Sequence, residues 1–387
     1  MILDYKKKIK DVLVKCLRRS DFPCDLNLLL VVFLLAGLGL LITSSASMSY
    51  LSGADHSLQI PLKHLMNLLL CFLCSLVVLS IRIEAWFKCS FFLLLISFAL
   101  LFGVLFFGVS VNGSKRWLPV GLFYFQVAEL SKLCFIVYLA SYISRRQLEL
   151  VNHMKGFYKP VVLFCIMGVL LLFQPDLGSL VVLFAIAVAM LFVAGARLRD
   201  FLVLIFSGGV TIGMLSWFSP YRIKRIISFL DPWSDPFGDG YQLVQSLIAY
   251  GRGGFFGLGL GESIQKLNYL PEAHTDFILA ILAEELGFVG VMVVLLMLLF
   301  VALRAILLGK RSILQKDIFS GFLAYGIGFL IFFQTFVNTG VSLGILPTKG
   351  LTLPFISYGG SSLIVTFISI MIVFRIDYEQ YLLLNKE

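Results

Sequence analysis

Residues 286–303 read LGFVGVMVVLLMLLFVAL, a stretch of eighteen positions without a charged side chain. A helix needs about 20 mostly apolar residues to cross a bilayer, because it rises only about 1.5 Å per residue. Backbone polar groups find no water in lipid, so an apolar run of this length must be helical there. The stretch therefore predicts a membrane-spanning helix, which we place at 277–304.

The same pattern recurs along the chain, and we predict ten spans in all. The other nine lie at 26–47, 64–81, 89–112, 120–143, 158–173, 177–194, 200–218, 318–337 and 353–376. The 387 residues are 59% hydrophobic and 14% charged, with a mean hydropathy of +0.97, whereas soluble domains are about 45–50% apolar. The predicted fold class is an all-α polytopic integral membrane protein. Its domains are a basic tail at 1–25, a ten-helix membrane domain at 26–376 with a large loop at 219–276 between helices seven and eight, and a tail at 377–387.

The distribution of Lys and Arg predicts the orientation of these spans. With the N-terminus inside, 21 of the 31 basic residues fall in cytoplasmic segments and 9 in outer ones, while Lys132 lies within a span. This bias follows the positive-inside rule with both termini cytoplasmic, and we expect no cleaved signal peptide. The net charge of +9 is then mostly a consequence of topology and does not indicate nucleic-acid binding.

Several enzyme classes are excluded by missing motifs. The sequence contains no H-E-x-x-H, Walker loop, Rossmann glycine pattern or nucleophile elbow, and its four His and seven Cys form no ligand cluster. These absences argue against a nucleotide-driven pump, a metalloprotease and a serine hydrolase. No cofactor is predicted with certainty; a divalent cation such as Mg²⁺ stays open.

The polar residues that remain concentrate on the predicted outer side, in four clusters. The first is LPEAHTDF at 270–277, where Glu272, His274 and Asp276 precede a span. Ionisable groups at membrane depth are usually functional or partnered, although Asp276 could simply cap the following helix. The second cluster is GSKRW at 113–117, with Gln126, Glu129 and Lys132 spaced by three in the next span; here a self-neutralising pair of Glu129 and Lys132 is the structural alternative.

The third and fourth clusters interrupt the helical pattern. Residues 338–360, NTGVSLGILPTKGLTLPFISYGG, contain Lys349 among prolines and glycines. Irregular backbone near membrane depth is tolerated only where it is buried or lines a cavity. The fourth cluster, Gln174-Pro175-Asp176, turns between two spans. In the 219–276 loop, GYQLVQSLIAY at 240–250 predicts a short helix lying on the membrane surface.

These motifs occur in an order that resembles one family. GSKRW, QxxELxKL, QPDLG, YRIKR…DP, GYQLVQSLIA, LPEAHTDFI…EELG and LPTKGLTLPFISYGGSS together resemble the SEDS family of FtsW, RodA and SpoVE, over nearly the whole chain. The forms LPEAHTDF and TKGLTLP are closer to the division branch, FtsW and SpoVE, than to the elongation branch. One departure is that the family's usual Gln-Pro-Ser-Glu reads Gln126-Val127-Ala128-Glu129 here.

The resemblance implies a peptidoglycan glycosyltransferase that polymerises lipid II on the outer face of the cytoplasmic membrane, with cell division and the septum as its setting. It implies an inverting reaction with Asp276 as general base and a polyprenyl diphosphate as leaving group. Substrate-binding roles are expected for Arg116, Lys132, Lys349, Glu129, Gln126, His274, Glu272 and Gln242, with the three cations facing one cavity.

The resemblance also implies partners and leaves alternatives open. A separate, single-span class B transpeptidase would cross-link the product, docking on spans 277–304 and 318–337 and on the 219–276 loop; divisome proteins and membrane lipid are further expected contacts. The alternatives are a flippase that moves lipid II without chemistry, an elongation-type polymerase and a structural division scaffold.

Overall fold

The computed structural model describes residues 25–47, 59–111, 114–120, 123–217, 228–238, 240–347 and 350–384. Its longer helices are α1 (Leu26–Ser47), α2 (Gln59–Ser80), α3 (Ile83–Phe107), α4 (Val127–Asn152), α5 (Met154–Phe173), α6 (Leu177–Val193), α7 (Leu198–Trp217), α8 (Tyr241–Gly253), α9 (Ile278–Leu314), α10 (Ile318–Ser342) and α11 (Gly360–Leu384). Three short strands lie between α3 and α4: β1 (Val109–Val111), β2 (Ser114–Val120) and β3 (Phe123–Gln126).

The helices have the length and the surface of a membrane protein. Within the described ranges, eight of them are long and apolar enough to cross a bilayer, and α6 is an apolar helix of 17 residues. Large apolar side chains such as Phe33, Phe72, Phe92 and Phe106 are more than half exposed on the outside of the bundle. Water would penalise so large an apolar surface, whereas lipid solvates it. The predicted polytopic helical class is confirmed, and the count of ten spans stays a prediction.

Helix α4 lies at the centre of the bundle. Nearly every side chain from Val127 to Ile143 is buried, because α3, α5, α6, α10 and α11 all pack against it. Its polar residues Glu129 and Lys132 are therefore enclosed by protein and do not face lipid.

Helices α1 and α9 run antiparallel, and the distance between their contacts at the two ends can be compared with the thickness of a bilayer. An ion pair joins Asp25 to Arg304 at one end, and Ser45 donates a hydrogen bond to Glu285 at the other. The two contacts are separated by 20 residues of α1, or about 30 Å of helix, which equals the thickness of the hydrocarbon core. Following the predicted orientation, we call the end with Ser45 and Glu285 the outer end.

The strands correct two predicted boundaries. The span predicted at 89–112 is a helix that begins at Ile83 and ends at Phe107, and Val109–Val111 form β1. The three strands form an antiparallel sheet in the order β1-β2-β3, with Trp117 opposite Gln126. The span predicted at 120–143 therefore begins only at Val127. The residues from Val120 onward are apolar enough to be counted as the start of a span, but Pro119 just before them does not fit a helix interior, and residues 117–120 pair with 123–126 as antiparallel strands instead.

The last span also differs from its predicted limits of 353–376. It begins at Gly360, after a turn that contains Pro354, and continues to Leu384. The segment predicted as a tail at 377–387 is thus helical over most of its described length, while residues 1–24 of the predicted N-terminal tail lie outside the described residues.

Helix α9 is interrupted near its outer end, and the 219–276 loop fills the interruption. Gly287 has φ +68° and ψ −169°, which breaks the helix. Residues 254–259, here called the loop strand, pair with the opened backbone: Leu258 N donates to Glu284 O at 3.0 Å, and Phe288 N donates to Gly254 O at 2.9 Å. A side chain on Gly287 would overlap the loop strand at Gly257, so this close approach requires glycine.

Candidate active site

Asp276 is presented by a tight turn at residues 270–277, here called the Asp276 turn. Glu272 adopts φ +55°, and its carbonyl oxygen accepts hydrogen bonds from the backbone N–H groups of Thr275 at 3.1 Å and Asp276 at 3.2 Å. The Thr275 hydroxyl also donates to the Glu272 carboxylate at 2.8 Å. Phe277 occupies the N-cap position of α9, and no side chain caps the helix there. Asp276 therefore does not have the capping role that the sequence left open.

The carboxylate of Asp276 has the properties of a base. It is half-buried, and it makes no hydrogen bond or ion pair with any residue that the structure describes. Burial raises the pKa of Asp276 from 3.8 to about 7, the negative charges of Glu272 and Asp176 act in the same direction, and Arg116 opposes them. General bases work best with a pKa near the working pH, and such shifts cluster at functional sites.

Two elements far away in sequence close around Asp276. The side-chain amide of Asn338 in α10 donates to the Asp276 carbonyl at 3.0 Å and also to the carbonyl of Leu351. Leu351 belongs to residues 350–353, here called the Gly350 segment. A β-carbon placed on Gly350 would overlap the Asp276 carboxylate. The backbone of the Gly350 segment therefore lies directly against the candidate base.

Arg116 joins the second and fourth sequence clusters beside this turn. From strand β2 it donates to the carbonyls of Pro175 at 2.6 Å and Gln174 at 3.3 Å, and its Nη1 lies 3.9 Å from the Asp176 carboxylate. Asp176 in turn caps α6 through the N–H and hydroxyl of Ser179. The Arg116 guanidinium is thus held in place by backbone groups and remains partly exposed at the outer end.

Lys132 is enclosed in a polar network. Its side chain is 1% exposed, and its ammonium donates to Glu129 at 2.9 Å and to Gln334 at 3.3 Å. Gln334 donates to the carbonyl and the hydroxyl of Thr352 in the Gly350 segment, and Thr352 shares a hydrogen bond with Ser362. Lys132 is therefore paired as the structural alternative expects, yet the network connects it to the segment that covers Asp276.

The remaining predicted site residues lie around this centre. His274, in the Asp276 turn, has a pKa lowered by burial, with the Glu272 charge acting in the opposite direction. Gln126 is the N-cap residue of α4, and its backbone N–H donates to Ser361 at 2.9 Å. Gln242 lies in the first turn of α8. Lys349 falls outside the described residues, so the arrangement of all three predicted cations around one cavity stays a prediction.

Glu284 and Glu285, the two carboxylates of α9 that a transport path could have used, instead form ion pairs inside the protein. Glu284 pairs with Arg252 at 3.2 Å and accepts from the Ser263 hydroxyl. Glu285 pairs with Lys266 at 3.0 Å and accepts from Ser45. Both carboxylates are fully buried, so they tie the outer loop to α9 and α1.

One segment of this loop reads Ser-x-x-Lys, the pattern of transpeptidase nucleophiles. It runs from Ser263 to Lys266, and both side chains are buried. The Ser263 hydroxyl donates to Glu284, and the Lys266 ammonium is bound by Glu285. Ser263 and Lys266 therefore help to hold the outer loop against α9 and do not form an accessible nucleophile.

Sequence reasoning gave no site role to three residues that shape the site: Gln334, and Asn338 and Gly350 of the third cluster. Asn338 and Gln334 are buried amides in a membrane-spanning helix, and a buried polar group in such a helix is itself a functional signal. Gly350 lay within the third cluster, but only the three-dimensional contact distinguishes it from the other glycines of that cluster.

No group of three or more His, Cys, Asp or Glu side chains that could hold a metal occurs within the described ranges. The site consists instead of one partly accessible carboxylate with a raised pKa, bordered by an immobilised Arg and by polar loops. The fold and this site define a polytopic membrane protein with a candidate acid–base centre at its outer end.

Comparisons with known proteins identify the family. Residues 25–382 match the family described as "Cell cycle protein", which comprises FtsW, RodA and SpoVE. A relative from Shewanella sediminis, "Probable peptidoglycan glycosyltransferase FtsW", is 53% identical over 92% of this chain and 88% of its own length. A relative of the same description from Escherichia coli O6:H1 is 48% identical over 92% of this chain and 86% of its own. The chain belongs to the FtsW/RodA/SpoVE family.

Solved structures agree with this assignment. One, described as "Structural coordination of polymerization and crosslinking by a peptidoglycan synthase complex", superimposes with a TM-score of 0.76 at 30% identity, covering 92% of this chain and 98% of that one. The rod shape determining protein RodA of Thermus thermophilus superimposes with a TM-score of 0.67 at 28% identity, with the same coverage. The resemblance that the sequence motifs carried is thereby confirmed.

Proposed function

We propose that this chain is a peptidoglycan glycosyltransferase that polymerises lipid II into glycan strands at the outer face of the cytoplasmic membrane during cell division. The observation that carries the proposal is the partly accessible carboxylate of Asp276, which has no hydrogen-bond or ion-pair partner among the described residues and a pKa raised to about 7. Relatives that are about half identical over most of their length bear the name of this activity. Their FtsW designation favours the division branch over the elongation branch.

In the proposed reaction, Asp276 takes the proton from the acceptor sugar hydroxyl as the hydroxyl oxygen attacks C1 of the donor sugar. The new bond joins that oxygen to C1, and the bond that breaks joins C1 to the diphosphate oxygen. The configuration at C1 inverts, and the polyprenyl diphosphate leaves with the bonding electrons. One base and one site for the diphosphate are sufficient, so no covalent intermediate on the enzyme is required.

Cationic groups would stabilise the departing diphosphate. Arg116 offers a planar fork of N–H donors that matches phosphate oxygens, and Lys349 would offer a point charge. Lys132 would not contact the diphosphate directly, because Glu129 and Gln334 already bind its ammonium. A divalent cation such as Mg²⁺ would reach the site on the substrate, since Mg²⁺ is commonly bound by one or two carboxylates together with substrate phosphates.

The other predicted site residues would bind the sugar and peptide parts of lipid II around this centre. Glu272 and His274 share the turn with Asp276, whereas Gln126 stands at the outer start of α4 and Gln242 at the start of α8. Hydrogen bonds from such groups would orient the acceptor hydroxyl toward Asp276, which is where positioning contributes most to the rate.

The proposal is tested by incubating the purified full chain in detergent with fluorescent lipid II, with and without a cognate transpeptidase, and by resolving glycan strands on a gel. Asp276→Asn is expected to lower the rate by about 10²–10⁴-fold. Glu262→Gln, which removes an exposed carboxylate of the same loop, is the matched control and should keep full activity. Near-normal polymerisation by a folded Asp276→Asn protein would refute the assignment of Asp276 as the base. The absence of polymer from the parent chain under either condition would refute the proposed transferase activity.

Transport of lipid II without chemistry is the competing function, and the buried charges of the bundle are the feature that suggested it. These charges form ion pairs within the protein: Glu129 with Lys132, Glu284 with Arg252 and Glu285 with Lys266. A transport path would need such groups to be open to a passing headgroup. Lipid II translocation in sealed vesicles, with no polymer formed in detergent, is the result that would favour transport.

We further propose that the cross-linking partner is a separate single-span transpeptidase that docks on α9. The side chains of Val289, Val293, Leu296 and Leu303 are exposed, and their spacing of three to seven places them on one helix face. The superimposable synthase complex is described as coordinating polymerization and crosslinking. The division septum, within the cytoplasmic membrane, is the proposed location.

A further inference from the structure

His64 is a buried histidine that the proposed reaction does not use. It lies in the second turn of α2 and is 0% exposed, and neither of its ring nitrogens has a hydrogen-bond partner among the described residues. A buried ring nitrogen without a hydrogen-bond partner lowers the stability of the folded protein. Native proteins keep few such groups, and each one calls for an explanation.

The imidazole of His64 packs against the ring of Tyr358. The ring centroids are 5.9 Å apart with an interplanar angle of 40°. Tyr358 follows the Gly350 segment and immediately precedes the glycine pair that opens α11. One turn further along α2, Asn67 lies against Gly360 at the start of α11. Helix α2 therefore supports the backbone of residues 358–360 at two adjacent points.

Tyr358 contacts the Asp276 turn on its other side. Its ring centroid lies 5.7 Å from that of His274 with an interplanar angle of 53°, and its backbone N–H donates to the His274 carbonyl at 3.0 Å. His274 is two residues before Asp276 within the same tight turn. The backbone bond could be made by almost any residue, whereas the ring contacts require flat side chains at positions 64 and 358.

We propose that His64 is a positioning residue for the glycosyltransfer reaction, acting through the ring of Tyr358 on His274 and thereby on the carboxylate of Asp276. The rings of His64, Tyr358 and His274 form a continuous column from the interior of α2 to the Asp276 turn. Since a displacement of about 1 Å at a reacting group can cost roughly 100-fold in rate, a gap in this column shifts the Asp276 turn and acts on the chemical step, while Arg116, which binds outside this turn, stays in place. The inference rests on the proposed function, because it concerns the placement of the same base.

The test measures kcat and KM for fluorescent lipid II on the purified full chain. His64→Ala is expected to lower kcat about 10- to 100-fold with little change in KM, as the positioning argument predicts. His64→Phe retains a flat ring and is expected to restore most of the kcat, whereas His64→Leu, apolar but not flat, is not. Cys71→Ala removes an equally buried side chain of α2 outside the column, and it should leave kcat unchanged.

A double-mutant cycle with Tyr358→Ala separates positioning from simple core filling. If His64 acts through Tyr358, the double variant should be no slower than Tyr358→Ala alone, because residues in one contact chain are not additive. Loss of thermal stability with unchanged kcat and KM of the folded fraction, or full additivity with Tyr358→Ala, would overturn the proposal. If His64→Ala fails to fold, the comparison of His64→Phe with His64→Leu decides. Absence of polymer from the parent chain would instead count against the proposed function itself.

Discussion

At the scale of single residues, the titration of Asp276 provides the most direct test of the site. A general base must be deprotonated to accept a proton, and the pKa of Asp276 is raised to about 7, chiefly by burial and next by Glu272. We therefore expect the polymerisation rate to rise with pH through about 7 and to level off above it. The measurement is the initial rate of glycan synthesis between pH 5 and 9 at saturating lipid II.

Two substitutions should move this pH profile in opposite directions. Glu272→Gln removes a negative charge that raises the pKa of Asp276, so the rising part of the profile should shift to lower pH. Arg116→Gln removes a positive charge that lowers this pKa, so the rising part should shift to higher pH. A profile that stays in place in both variants would show that a different group controls it.

Gly350 provides a second residue-scale prediction. A methyl group at this position would overlap the Asp276 carboxylate, so Gly350→Ala should push the carboxylate out of line and lower kcat at least about 10-fold. The fold should tolerate the change, because the overlapped atoms belong to a side chain that can move. Gly251→Ala is the matched control: a β-carbon there meets nothing within 4 Å, and activity should persist. Equal activity of the two variants would contradict the close approach.

At the scale of elements, the interruption of α9 is held by buried charges. The Glu285 carboxylate binds the Lys266 ammonium, and both are nearly inaccessible to solvent. Removal of one member of a buried ion pair typically costs about 3–5 kcal/mol, because the other charge stays buried without a partner. Glu285→Gln is therefore expected to lower the thermal unfolding midpoint and to expose the loop at 254–266 to protease.

Two further proteins control this experiment. Glu262→Gln, in the same loop but exposed, should unfold like the parent chain. Replacement of both partners, Glu285→Gln together with Lys266→Met, should recover part of the lost stability, because an apolar replacement leaves no unpaired charge. An unchanged midpoint and digestion pattern for Glu285→Gln would mean that the pair does not hold the loop.

At the scale of the whole molecule, the exposed face of α9 predicts where the transpeptidase docks. Bulky substitutions in this face, Val293→Trp and Leu296→Trp, should reduce both co-purification with the transpeptidase and stimulation of polymerisation. Lipid would accommodate the same bulk on a helix that has no protein partner. Val162→Trp and Val169→Trp, at exposed positions of α5, are therefore the controls and should do neither. Full binding and full activity of both α9 variants would place the partner on another surface.

Apolar composition predicted the membrane class and most of the helices, but not every boundary. Hydropathy predicted that a helix starts at residue 120, whereas Val120 and residues 123–126 belong to strands, because Pro119 and the pairing of β2 with β3 override the composition. The break at Gly287 was also not predicted, because an apolar sequence with one glycine normally continues as a helix in lipid. In both places the local pattern was overruled by backbone hydrogen bonds to a distant segment.

The sequence by itself determined the fold class, the family motifs and the candidate base, because long apolar runs and charged residues at their ends are properties of neighbouring positions. Only the tertiary structure decided what surrounds that base. Asn338 and Gly350 reach Asp276 across 62 and 74 positions of chain, and hydrophobic periodicity carries no information about such contacts. It also decided that Lys132, Glu284 and Glu285 are paired inside the protein, since the partner of a buried charge depends on which helices pack together.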